Sequence, residues 1–143
     1  NISRDDAKRA VSYADNQQRA KYKTKFADYN EFLESLEMKA EIGPFSPIYL
    51  DRISQLTNKT NQFNLTVRRF NLEEVISMGK KSDFLTISGN LKDKFGEYGI
   101  IMFIAVKDMD KTPTIFEFVM SCRVAKKIIL NLFQSLVVLI LLK

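Results

Sequence analysis

The residue types best suited to chemistry gather in one polar segment. Asn58, Asn61, Gln62 and Asn64 place three asparagines and a glutamine within seven residues, with Lys59 among them. A carboxamide both donates and accepts, so such a cluster can hold an amide, a hydroxyl or a pantetheine-like arm in one orientation. The same residues also suit a turn-rich connection in which each asparagine bonds to nearby backbone. Cys122 is the only thiol. Arg123 beside it would lower its pKa and favour the nucleophilic thiolate. A lone cysteine ending an apolar strand is, equally, a common inert core residue. Asn58-Lys59-Thr60 and Asn64-Leu65-Thr66 match the glycosylation acceptor pattern, but nothing points to secretion, so both are read as chance matches.

Composition removes several alternatives. The chain has no histidine, which excludes Ser-His-Asp and Cys-His arrangements within it and any histidine-containing zinc site; no metal site is expected. A single cysteine rules out an intramolecular disulfide and fits a reducing, cytoplasmic compartment. With 143 residues, 45% apolar and 27% charged, the chain has the balance of one ordinary globular domain. The net charge of +5 makes the surface mildly basic and suits an acidic partner. No five basic residues run together, so no nucleic-acid partner is expected. The start, Asn1-Ile2-Ser3-Arg4, has no signal-peptide pattern and reads as a point inside a longer protein.

These residues must be positioned by flanking elements. Ala7, Ala10, Val11 and Ala14 recur at helical spacing, with Ser3 and Asp6 as a capping box, so residues 3 to about 40 are expected to be mainly helical. Asp15 to Lys25 is polar and reads as an exposed continuation or a break. Asp28 with Glu31 opens a second helical segment through Phe32, Leu33 and Leu36. Ser46-Pro47 starts a helix carrying Leu50, Ile53 and Leu56. Asn71 with Glu74 caps a short helix that Gly79 closes. Phe84 to Ser88, Ile100 to Val106 and Ile115 to Met120 read as three strands of an antiparallel meander. Ala125 to Leu142 is read as a buried helix, although Val137-Val138-Leu139-Ile140 equally suits a strand; the run is too interrupted to span a bilayer and is a route to a homodimer if left uncovered. The expected class is α+β, with N-terminal helices followed by an antiparallel sheet and packing helices.

Three motifs carry a resemblance to a known family. The first is Gln55-Leu56-Thr57-Asn58-Lys59-Thr60-Asn61-Gln62-Phe63-Asn64-Leu65-Thr66 followed by Arg68 and Arg69. The second is Asp93-Lys94-Phe95-Gly96-Glu97-Tyr98-Gly99, and the third Met120-Ser121-Cys122-Arg123-Val124. In this order, over about Glu31 to Val124, they resemble the C-terminal, acyltransferase-like region of FkbH-like proteins. The resemblance implies a two-part parent, a haloacid-dehalogenase-like phosphatase domain that would hold magnesium and a GNAT-like region. It implies a helical extension over 1–45 and an incomplete GNAT-like domain over 46–143. The implied activity is transfer of a glyceryl or acyl unit to an acyl carrier protein. Cys122 and Arg123 would then be catalytic, Asn58, Lys59, Asn61, Gln62, Asn64, Asp93 and Gly96 would bind substrate, and one cleft would join Asn58, Asn61, Gln62, Asp93 and Cys122.

After Arg123 the sequence departs from the family pattern. The two glycines of Arg-x-x-Gly-x-Gly, which would let backbone N–H groups approach a pyrophosphate, are replaced by side chains in Val124-Ala125-Lys126-Lys127-Ile128. This argues against coenzyme A binding in the usual GNAT manner, and no cofactor is expected in this chain. The lost glycines also favour an alternative, a non-catalytic module that docks a carrier protein or the phosphatase-like domain. Asp108-Met109-Asp110-Lys111-Thr112 matches the phosphatase pattern Asp-x-Asp-x-Thr, yet Pro113 and a further strand follow at once, so it is read as a hairpin turn.

Overall fold

A computed structural model describes residues 4–59, 64–108 and 110–121. The chain is α+β. Its helices are α1 (Arg4–Lys23), α2 (Tyr29–Ser35), α3 (Leu50–Lys59, preceded by a 3-10 turn Pro47–Tyr49) and α4 (Leu72–Lys80). Its strands β1 (Lys39–Pro44), β2 (Leu85–Asp93), β3 (Gly96–Lys107) and β4 (Thr114–Met120) form an antiparallel sheet in the order β1-β2-β3-β4. Among the described residues no helix is long and apolar enough to cross a membrane. The expected helix over 125–142 and the capping Ser3 lie outside the described residues.

The chain divides into two compact units. Unit 1 is Asn1–Gly43 with Gly89–Ile101, and unit 2 is Pro44–Ser88 with Met102–Lys143, so β2 and β3 each contribute to both. In unit 1, Phe32 and Leu36 from the α2 segment, Leu91 from β2 and Ile100 and Ile101 from β3 are buried. In unit 2, Ile53 and Leu56 of α3, Val75 and Met78 of α4, Ile87 of β2, Met102 to Val106 of β3 and Val119 and Met120 of β4 form the core. Each of these side chains larger than Ala105 contributes about 1.5–3 kcal/mol when fully buried.

Helix starts follow their capping chemistry. Asp28 accepts from the N–H groups of Asn30 and Glu31, and Asn71 with Glu74 makes a reciprocal capping box. Gly79, expected to close the last of these helices, lies inside α4, which instead ends at the extended Lys81.

Two larger corrections concern the N-terminal third. The expected long helix stops at Leu36, because Glu37 takes a left-handed conformation at φ 53° and the chain turns into β1. The sheet therefore has four strands rather than three. In α1 the expected apolar stripe Ala7, Ala10, Val11 and Ala14 is exposed, Val11 to 61%. The face that packs is set by Arg19 and Tyr22, continuing to Phe26 just past the helix. Alanine methyls bury too little surface to orient a helix against an arginine with a buried partner and a pair of aromatic rings.

Candidate functional site

In unit 2 the first motif is built on the end of α3 and the chain that returns from it. The Thr57 hydroxyl donates to the Ser54 carbonyl at 2.8 Å and accepts from the Phe70 N–H at 3.1 Å. Ser54 Oγ donates to the Phe70 carbonyl at 2.7 Å. Asn58 Nδ2 donates to the carbonyls of Ser54 and Phe70 at 3.0 and 3.3 Å. One polar face of α3 thus ties down the backbone of Phe70, and the Arg69 guanidinium adds a bond to the Thr57 carbonyl. Asn58 and Lys59 are exposed. Asn61 and Gln62 lie outside the described residues.

Asn64 stands apart from this scaffold. It is 7% exposed and pairs as an antiparallel bridge with Val119 of β4, while the Leu65 N–H donates to the Phe118 carbonyl at 2.9 Å. Its Nδ2 donates to the Arg68 carbonyl at 3.1 Å, but among the described residues no donor reaches its buried Oδ1. Such an acceptor is costly to bury and is satisfied by any N–H or O–H brought to it. The strand it pairs with runs directly on to Ser121. The motif's Cys122 and Arg123 lie outside the described residues.

Glu117, unmarked in the sequence reading, anchors the same turn. It is fully buried on β4. Its Oε1 accepts from the Phe118 N–H at 2.9 Å and the Thr66 N–H at 3.3 Å, and its Oε2 accepts from the Thr66 hydroxyl. The strand bulges here, since Ala105 faces Glu117 and Val106 faces Ile115, leaving Phe116 as the extra residue. An acidic residue in the middle of Ile115-Phe116-Glu117-Phe118-Val119 is the signal that could have marked it.

The second motif closes the β2–β3 hairpin in unit 1, and there Asp93 is a structural hub. Its Oδ1 accepts from the N–H groups of Phe95 and Gly96 at 2.9 and 3.1 Å and from Arg19 Nη2 at 2.9 Å. Its Oδ2 accepts from Arg19 Nε at 2.7 Å and the Tyr98 hydroxyl at 2.9 Å. Arg19 donates further to the Gly96 carbonyl at 3.2 Å and to Asn16 at 3.0 Å, and its guanidinium stacks 4.1 Å from the centre of the Tyr98 ring. The Asp93 side chain is fully buried with its lone pairs occupied. Gly96 adopts φ 155°, where a Cβ would overlap the Asp15 carboxylate. Asp93 and Gly96, expected to bind substrate, therefore build the hairpin and its link to α1. They belong to unit 1, whereas Asn58, Lys59 and Asn64 belong to unit 2.

The hub has a definite pH dependence. Burial alone would raise the Asp93 pKa, but the Arg19 hydrogen bond, the Phe95 N–H and the Tyr98 hydroxyl bring it below the ordinary aspartate value. Burial and the Asp93 hydrogen bond both push Tyr98 well above the ordinary tyrosine value. A lowered folded pKa on Asp93 contributes stability that is present above pH ~4 and is lost as acid protonates the folded state. A raised folded pKa on Tyr98 contributes stability that is complete below pH ~10 and is lost as alkali rises beyond it. The expected result in urea titrations is an acid limb that shrinks in Asp93→Asn and an alkaline limb that shrinks in Tyr98→Phe. Unchanged limbs in both variants would show that other groups set them.

Among the described residues no three histidine, cysteine, aspartate or glutamate side chains gather into a group that could hold a metal ion. The hairpin turn at Asp108 to Pro113, closed by the Lys111 N–H to the Asp108 carbonyl at 3.0 Å, holds the phosphatase-like pattern. No family model, no curated protein and no solved structure matches the chain.

Proposed function

We propose that this chain is the acyltransferase-like region of an FkbH-like protein, with a GNAT-like sheet, and that it takes part in transferring a glyceryl or acyl unit to an acyl carrier protein in the cytoplasm. The observation that carries this reading is the pairing of Asn64 and Leu65 with Val119 and Phe118. It sets the end of the asparagine-rich motif beside the strand that leads into Ser121-Cys122-Arg123, although more than fifty residues of sequence separate the two. In this reading the Cys122 thiolate attacks the acyl carbon of an activated donor, the leaving group departs with its electron pair, and a thioester forms. The carrier's pantetheine thiol then gives its proton to solvent and attacks the thioester carbon, and Cys122 departs with the bonding pair as thiolate. The unsatisfied Asn64 Oδ1 is an acceptor suited to an amide N–H of the pantetheine arm.

The test is intact-protein mass spectrometry after brief exposure to iodoacetamide, from pH ~5 to ~8. Cys122 is expected to label fast even at the acidic end, and about tenfold more slowly in Arg123→Ala, as the thiolate fraction falls. Labelling only after denaturation would make Cys122 a core residue and overturn the transfer step. The non-catalytic docking role, favoured by the missing glycines after Arg123, would then stand in its place.

A further inference from the structure

Beside Asn64, residues 65–68 and the β4 bulge build an outward surface in unit 2 to which the transfer chemistry assigns no role. Val67 sits at φ 59°, a left-handed conformation that β-branched residues avoid, and both Val67 and its neighbour Leu65 are 61% exposed. The Thr66–Glu117 hydrogen bonds hold that turn in place from beneath. A strained turn that turns two aliphatic side chains outward is a costly arrangement for a surface with no partner. Cations gather on the aromatic rings of the adjoining β4 bulge. Arg68 lies 4.8 Å from the centre of the Phe116 ring and Lys107 5.7 Å from it. Lys81 lies 5.4 Å from the centre of Phe84, which itself packs edge-on against Phe116 at 5.4 Å. The ion pair recorded for Lys107, to Asp108 at 4.0 Å, is exposed and loose.

The geometry points to this surface as the docking site for an acidic amphipathic helix of the carrier domain, with aliphatic contacts on Leu65 and Val67 and carboxylates on the rim made by Arg68, Lys81 and Lys107. Charge complementarity selects such a partner and steers its approach. Exposed aliphatic side chains accept a helix's apolar stripe. Single-stranded nucleic acid fits less well. Base stacking needs open aromatic faces, and here the cations occupy the Phe116 and Phe84 rings while the exposed groups are Leu65 and Val67. The inference rests on the transfer reading for the identity of the partner and adds where that partner binds.

The probe is an apo acyl carrier protein, which lacks the pantetheine arm and so reports the surface alone. Its fluorescence anisotropy is followed while the full chain is titrated in. Binding is expected to weaken about tenfold in Arg68→Glu and several-fold in Leu65→Ser. It should also weaken as salt rises from about 50 to 500 mM, and stay unchanged in Lys8→Glu, an exposed position of unit 1. Circular dichroism confirms that each variant is folded. Binding indifferent to Arg68→Glu and Leu65→Ser overturns the proposal. So does an absence of binding, or an oligothymidylate that binds through these residues when the carrier does not. Carrier binding needs no Cys122, and the labelling test uses no carrier. Failed labelling with intact docking would remove the transfer step and keep the surface, and the reverse would keep the step and remove the surface.

Discussion

Asp93→Ala is expected to lower stability by about 3–5 kcal/mol, because it leaves the Arg19 guanidinium buried without its counter-charge. The Arg19 side chain is 10% exposed and that of Asp93 fully buried, and two of their bonds are charge-assisted at 2.7 and 2.9 Å. Removing Asp93 also strands the Phe95 and Gly96 N–H groups that shape the turn. Arg19→Ala should cost a similar amount, since the buried carboxylate then keeps only Tyr98 and backbone donors. The double variant should fall well short of the sum of the two, because neither group is left to be stranded by the other. Urea denaturation followed by circular dichroism gives all four values. Strict additivity would mean that the two groups are not coupled, against the geometry. A substrate-binding Asp93 would behave differently, with Asp93→Ala folded at nearly full stability and defective only in transfer.

That contrast shows what the sequence could carry. The strands at Leu85, Ile100 and Ile115 and the caps at Asp28 and Asn71 were legible, because alternation, apolar runs and capping spacing act over a few neighbouring residues. β1 was not. Its start depends on Glu37 taking a left-handed conformation usually given to glycine, and nothing in Leu36-Glu37-Met38 announces that. The packing face of α1 was missed for a related reason. Arg19 reads as a solvated cation until Asp93, seventy-four residues away, is placed against it. The same distance separates the motif's appearance from its role. Asp93 and Gly96 resemble ligand-binding residues in a row of letters, while in the fold the Asp93 lone pairs and the Gly96 backbone angle are engaged in the hairpin and its link to α1. Asn64 is the opposite case. It looked like one amide among several, and only its pairing with Val119 and its orphaned Oδ1 distinguish it from Asn58, whose amide nitrogen is spent on Ser54 and Phe70.

Glu117 offers the second large effect, and it joins stability to both proposals. Glu117→Ala is expected to cost about 3–5 kcal/mol, from a cavity at a fully buried position together with the loss of the acceptor for the Phe118 and Thr66 N–H groups. Glu117→Gln keeps the shape and one carboxamide oxygen for those two donors, and the Thr66 hydroxyl can turn to accept from the new NH2, so its cost should be about 1 kcal/mol. Thr66→Val removes the hydroxyl bonded to Oε2 and should fall between them, while Thr66→Ser should stay near the parent. In hydrogen exchange, the Thr66 and Phe118 amides should lose protection in Glu117→Ala before the core of α3 does, because this carboxylate joins the Thr66 end of the turn to β4 beside the Leu65–Phe118 bond. A turn released in this way would let Val67 relax from its left-handed conformation. Affinity for the apo carrier should then fall even though Leu65, Val67 and Arg68 are all unchanged. If Glu117→Gln proved as damaging as Glu117→Ala, hydrogen-bond geometry would not be what holds the turn. If Glu117→Ala loosened the turn and left carrier binding intact, the docking surface would lie elsewhere.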